Sequence, residues 1–249
     1  AKILWARASR EDAYRVLDQA EQRLVRWGFD YWAHLLGGQR IRFWHMESGE
    51  LPPERRRALE ASVAETESLL PEDLRPEHFY AALTVARGWL MLDRLQEAAS
   101  LLEMLAFHAH ETQREADLQE IFILQAICCK RRGRLREAFA RLRDALAIAE
   151  RNRSVRPFLD ETPELGELMR VYADGNKDAS VFVRRLASGW TGRLASRPAA
   201  DQLPEPLTWK EREVLELMAE GMSGRLIAER LGISVGTVKT HIHHIYQKL

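Results

Sequence analysis

From residue 1 to about 172 the apolar side chains recur at the spacing of a helix face, in blocks broken by short turns, and almost nothing alternates with the period of two that a strand requires. The pattern predicts an all-α chain of stacked helix pairs at 1–27, 30–70, 77–110 and 115–150, closed by two further helices at 163–172 and 178–187. A phrase repeats: Glu11-Asp12-Ala13, Gln96-Glu97-Ala98 and Arg136-Glu137-Ala138 each open an apolar helical run, and the last two start about 40 residues apart. A degenerate copy fits between Pro53 and Leu70. A helix pair cannot bury its own apolar face, so Ala13, Ala98 and Ala138 are expected where neighbouring helices cross most closely. Leu92-Asp93-Arg94 and Arg131-Arg132-Gly133-Arg134 are expected turns, with Gly133 ending a helix.

The pattern changes after a stretch from Ser188 to Pro206 that holds Gly189, Gly192, Pro198, Pro204 and Pro206, the composition of a linker. The reading is therefore a helical-repeat region at 1–187, a linker at 188–206 and a small domain at 207–249. In that last domain three short helices are expected, at 208–220, 223–231 and 234–248. Thr208 stands three residues before Glu211 as a capping box, and Ser223 and Ser234 precede the second and third helices. Ala228, Gly232 and Val238 supply what a helix-turn-helix needs: a small residue for close approach, a residue free to take positive φ, and an apolar anchor.

On the third helix Val238, Ile242, Ile245 and Leu249 form one stripe, expected to pack on the first two helices. Gly236, Thr240, His243 and Gln247 lie opposite, flanked by Lys239 and His244, and the helix contains no acid. A cationic face with short polar side chains near its N-terminus suits a major groove, where base edges are read while phosphates are neutralised. The competing reading is a solvated face in an ordinary three-helix bundle, which seldom lacks acids.

Leu207 to Leu249 resembles the LuxR-type DNA-binding domain, whose L-T-x-R-E-x-E-V-L, I-A-x-x-L-x-I-S, T-V-K-x-H and K-L elements it meets almost throughout. Lys210 replaces the usual arginine, Gly224 a common asparagine and Leu226 a common acid. The resemblance implies that Lys239, Thr240 and His243 read bases. It implies that Thr208, Lys210, Ser234, Gly236, Thr237, His244, Gln247 and Lys248 lie at phosphate, cap or groove-flanking positions. Domains of this kind continue into a fourth helix, and a chain starting at Ala1 and stopping at Leu249 is expected to be part of a longer protein.

The helix pairs resemble tetratricopeptide repeats with a longer unit. Together with Val155-Arg156-Pro157-Phe158-Leu159-Asp160-Glu161 and the terminal domain, they resemble the C-terminal half of large MalT-like transcriptional regulators. That resemblance implies a signal-responsive activator, with ATP handled only by an upstream module and none bound here. It implies double-stranded DNA and RNA polymerase as partners, a small effector or protein on the repeats, and self-association.

Composition adds limits. With 46% hydrophobic and 30% charged residues among 249, and no apolar run near the roughly 20 that cross a bilayer, a cytoplasmic protein with no membrane partner is expected. The formal net charge is zero, so attraction to DNA has to be local. Adjacent Cys128 and Cys129 in an apolar helical run point to buried thiols and not to a disulfide or zinc site. No phosphate-cradling G-x-x-x-x-G-K-[ST], no G-x-S-x-G and no H-E-x-x-H occurs, so no catalytic residue is expected. His241 and His244 have the i, i+3 spacing of a metal pair but lack a third ligand, and no metal is expected. The function expected is sequence-specific transcriptional regulation. The alternative is a protein-binding scaffold whose terminal domain does not bind DNA, and the acid-free third helix favours the first.

Overall fold

The computed structural model describes residues 10–47, 51–71, 73–195, 208–219 and 222–248, and among these no residue is in a strand. The chain divides into two compact units, 1–195 and 196–249. In the first, helices run over Arg10–Arg26 (α1), Asp30–Glu47 (α2), Pro53–Ser68 (α3), Phe79–Met91 (α4), Leu95–Glu111 (α5), Glu115–Arg131 (α6) and Leu135–Asn152 (α7). A four-residue turn of helix, Arg156–Leu159 (α8), precedes Pro163–Gly175 (α9) and Val181–Ala195 (α10).

Each of α1 to α6 packs on the next, and α2, α4, α6 and α9 also touch along a second direction, α2 on α4, α4 on α6 and α6 on α9. That is the two-layer stacking of a helical-repeat array. Composition follows the layers. Inner α4 (FYAALTVARGWLM) is buried from Ala81 to Leu90 and is apolar nearly all round, whereas outer α7 keeps an apolar stripe of Ala138, Leu142, Ala145, Leu146 and Ala149 opposite a charged face. Ala13, Ala98 and Ala138 are all fully buried, as the repeated phrase predicts. Of the aromatic side chains, Phe43, Phe79 and Trp89 are core, while Tyr80 and Trp27 are exposed.

The repeat is written in the backbone. Asp93, Gln113, Gly133 and Arg153, at a constant step of 20 residues, all take left-handed conformations, with φ of 64°, 53°, 75° and 50°. At each, the next residue's N–H closes a bond to the carbonyl five back, Arg94 to Trp89, Arg114 to Ala109, Arg134 to Cys129 and Ser154 to Ala149, at 2.8–3.0 Å. These are helix C-terminal turns that satisfy otherwise orphaned carbonyls. The same turn therefore ends α4, α5, α6 and α7, giving a unit of two helices per 40 residues.

Some boundaries differ from expectation. Residues 1–9 lie outside the described residues, so of the pair at 1–27 only α1 is seen. Leu186 and Ala187 are still buried, and helix α10 runs on to Ala195, past Ser188 where the linker was expected to begin. Residues 196–207 lie outside the described residues. Cys128 is buried and Cys129 half-buried, both as free thiols. Among the described residues no helix is long and apolar enough to cross a membrane.

Candidate nucleic-acid interface

The second unit holds three described helices, Trp209–Ala219 (α11), Gly224–Leu231 (α12) and Val235–Lys248 (α13), within a residue or two of expectation. The Thr208 N–H donates to Glu211 Oε2 at 2.7 Å and the Glu211 N–H donates to Thr208 Oγ1 at 3.3 Å, the reciprocal bonds of a capping box. Ser223 Oγ accepts from the Leu226 N–H at 3.4 Å, and Ser234 Oγ accepts from the Thr237 N–H at 3.0 Å. Gly232 has φ 64° and ψ 32°, the left-handed residue that ends α12 and turns the chain, and the Ile233 N–H reaches the Ala228 carbonyl at 3.0 Å.

Helix α13 packs on both α11 and α12. Val238 and Ile245 are buried with Ala228, Ile227, Val214 and Leu215, and Ile242 is partly buried beside them. On the other side Ser234, Gly236, Thr237, Lys239 and Thr240 are all exposed. The Thr240 hydroxyl donates to the Gly236 carbonyl at 3.2 Å, which leaves its oxygen free to accept. Ser234 and Thr237 hydroxyls lie 2.8 Å apart, so the first turn of α13 presents two linked hydroxyls at the helix N-terminus.

Other site residues have additional engagements. Lys210 Nζ lies 3.2 Å from Glu213 Oε2 and 4.2 Å from the centroid of the Trp209 ring. His244 Nδ1 lies 3.9 Å from Glu211 Oε1, which ties its half-exposed ring to the start of α11. The side chains of His243, Gln247 and Lys248, and all of Leu249, lie outside the described residues, although the backbone through Lys248 is helical. Helical periodicity does not single out Trp209, Leu226 or Val235, yet these apolar side chains are exposed near the helix starts. Their visible signal is that each falls off the apolar stripe of its own helix.

In the first unit, a depression of about 510 Å³ is lined by Phe79, Tyr80 and Leu83 on α4, Asp117 and Glu120 on α6, and Arg114 just before α6. It mixes aromatic faces with charge.

Residues 1–174 match the family model described as the MalT-like TPR region. The chain belongs to this family. Residues 205–249 of this MalT-like chain match the model for bacterial regulatory proteins of the luxR family. It is similar to the HTH-type transcriptional regulator MalT of Vibrio campbellii, 30% identical over 185 residues that cover 66% of this chain and 20% of that protein. It is also similar to the HTH-type transcriptional regulator MalT of Klebsiella pneumoniae strain 342, 29% identical over 185 residues with the same coverage. The chain spans about a fifth of the length of these curated relatives. No solved structure matches.

Proposed function

We propose that this chain supplies the helical-repeat and DNA-reading parts of a transcriptional regulator, with α13 lying in the major groove of a target duplex. The observation that carries this reading is the two-sidedness of α13. Val238 and Ile245 are sealed into the domain, while Gly236, Thr237, Lys239 and Thr240 are exposed on a helix without a single acid. In this reading Lys239, Thr240 and His243 meet base edges, and the N-terminal turn of α13, Lys210 and Lys248 meet phosphates. The relatives' names, HTH-type transcriptional regulators, agree with it.

The repeats serve as the part that senses an effector or binds a protein, with the depression between α4 and α6 as one surface for it. Self-association and contact with RNA polymerase complete the reading as an activator, acting in the cytoplasm where the chromosome is. ATP belongs to a module outside this chain, and the chain itself performs no catalysis. The test is selection of bound duplexes from a randomised pool by the longer protein. Enrichment of one motif, lost with His243→Ala or Thr240→Ala, supports the reading. Retention of duplex without any enriched sequence overturns it.

A further inference from the structure

The segment from Val155 to Glu161, distinctive in the sequence, occupies a specific place in the fold. It leaves the end of α7 at Arg153, whose φ is 50°, and runs to the start of α9. Ser154 is held by Gln119 of α6, whose Nε2 donates to the Ser154 carbonyl at 3.2 Å and whose Oε1 accepts from Ser154 Oγ at 2.6 Å. Phe158 is the only fully buried apolar side chain of the segment.

The other anchor is ionic. Arg87 Nη2 of α4 donates to Glu161 Oε1 at 2.6 Å, and His45 Nε2 of α2 lies 3.1 Å from Glu161 Oε2. The three side chains are 3%, 2% and 1% exposed for Arg87, Glu161 and His45. Arg87 Nη1 also donates to Glu120 Oε1 of α6 at 2.7 Å, and Arg42 of α2 pairs with the same Glu120 oxygen. One carboxylate thus reaches the inner helices α2 and α4 directly, and α6 through Arg87.

This anchor is poorly completed. His45 Nδ1, Arg87 Nε, Asp160 Oδ1 and Thr162 Oγ1 are buried with no hydrogen-bond partner among the described residues, and so are His45 Nε2 and Glu161 Oε2, which meet at 3.1 Å without hydrogen-bond geometry. Buried polar groups are ordinarily paired, and each one left without a bond keeps its desolvation cost. A buried ion cluster adds a desolvation cost that its attraction only partly offsets. The segment is therefore fastened across three sequence-distant helices by contacts whose net contribution is small for their number.

We propose that residues 155–162 are a releasable latch, with Glu161 seated between Arg87 and His45 holding α2, α4 and α6 in one relative arrangement and its withdrawal freeing those inner helices to shift. Outer helices α5 and α7 give no side chain to the cluster and keep their packing when the latch opens. The device provides a two-state element inside the repeat array.

Hydrogen exchange read by mass spectrometry on the full chain tests it. In the unsubstituted protein, amides of 155–162 exchange through an opening that leaves α4 and α6 protected. In Glu161→Gln, exchange at 155–162 rises roughly ten- to a hundredfold, the loss expected for a charge-assisted bond, and the C-terminal turn of α2 at 42–47 follows it while α5 and α7 do not change. Equal acceleration of every helix from 10 to 195, or no change at 155–162, overturns the proposal. If Glu161→Gln does not fold, the unsubstituted protein decides alone: a common exchange rate for 155–162, α4 and α6 makes the segment part of the permanent core and sinks the latch.

Discussion

Gly88 of α4 lies so close to Val63 of α3 that a Cβ on it would sit 2.1 Å from Val63 Cγ2. The two helices cross where only hydrogen fits. Gly88→Ala is expected to force α3 outward and to destabilise the first unit by about 1–3 kcal/mol, the usual cost of overpacking. Urea denaturation measures it, and an unchanged midpoint would show that Val63 can rotate away.

The four left-handed turns give a prediction of opposite signs. Gln113 is exposed and its φ of 53° strains a side-chain-bearing residue, so Gln113→Gly is expected to stabilise by up to about 1 kcal/mol. At Gly133 a Cβ would meet nothing within 4 Å, so Gly133→Ala isolates backbone strain and is expected to lose about 1 kcal/mol. Paired melting curves check both; shifts in the same direction would remove the common-turn account.

The capping box at Thr208 makes α11 sensitive to one hydroxyl. Thr208→Ala is expected to lower the stability of the C-terminal unit by about 1 kcal/mol, whereas Thr208→Ser keeps the bond to the Glu211 N–H and most of the stability. Thermal unfolding of the three proteins compares them.

Lys239 and Thr240 are adjacent and both exposed, yet their substitutions should differ. Lys239→Ala is expected to weaken all duplexes alike and to reduce the salt slope by about one unit, as for one lost phosphate contact. Thr240→Ala is expected to change which sequence is preferred, costing about 1–3 kcal/mol at the best site. Salt titrations against matched and mismatched duplexes separate the two; identical profiles would dissolve the distinction between charge and readout.

Acid should loosen the first unit in two stages. Burial pulls the His45 imidazole below its ordinary 6.5, with Arg87 and Arg131 pushing the same way against Glu161. Burial by itself would raise the Glu161 carboxyl, but Arg87 and then His45 outweigh it and bring it from 4.5 to about 2. Both groups bind their protons less readily in the folded state, so both contribute stability at neutral pH that disappears as pH falls. The His45 contribution begins to go below about 6.5, and that of Glu161 goes between 4.5 and about 2. Urea midpoints at pH 7 and 5 should therefore decline in the unsubstituted protein and decline less in His45→Gln. An equal decline in the two would place the sensitive group elsewhere.

Much of this protein is local, and what is local can be read along the chain. The caps at Thr208, Ser223 and Ser234, the turns at Gly133 and Gly232, and the stripe of Val238 and Ile245 all join residues within one or two helical turns, so spacing and residue type suffice to place them. The exposed side of α13 follows from the same periodicity, and its freedom from acids is read directly from its residues. The turn at Asp93 is equally legible, whereas Gln113 and Arg153 show where that reach stops: they make the same left-handed turn as Gly133 without its side-chain-free signature. Arg87, Glu161 and His45 go further still. Their residue types are those of solvated surface positions, and only the stacking that brings α2, α4 and the segment before α9 together, across 74 positions between Arg87 and Glu161, seals them from water. Burial of a charge depends on a partner, and the partner's position is decided by the tertiary structure.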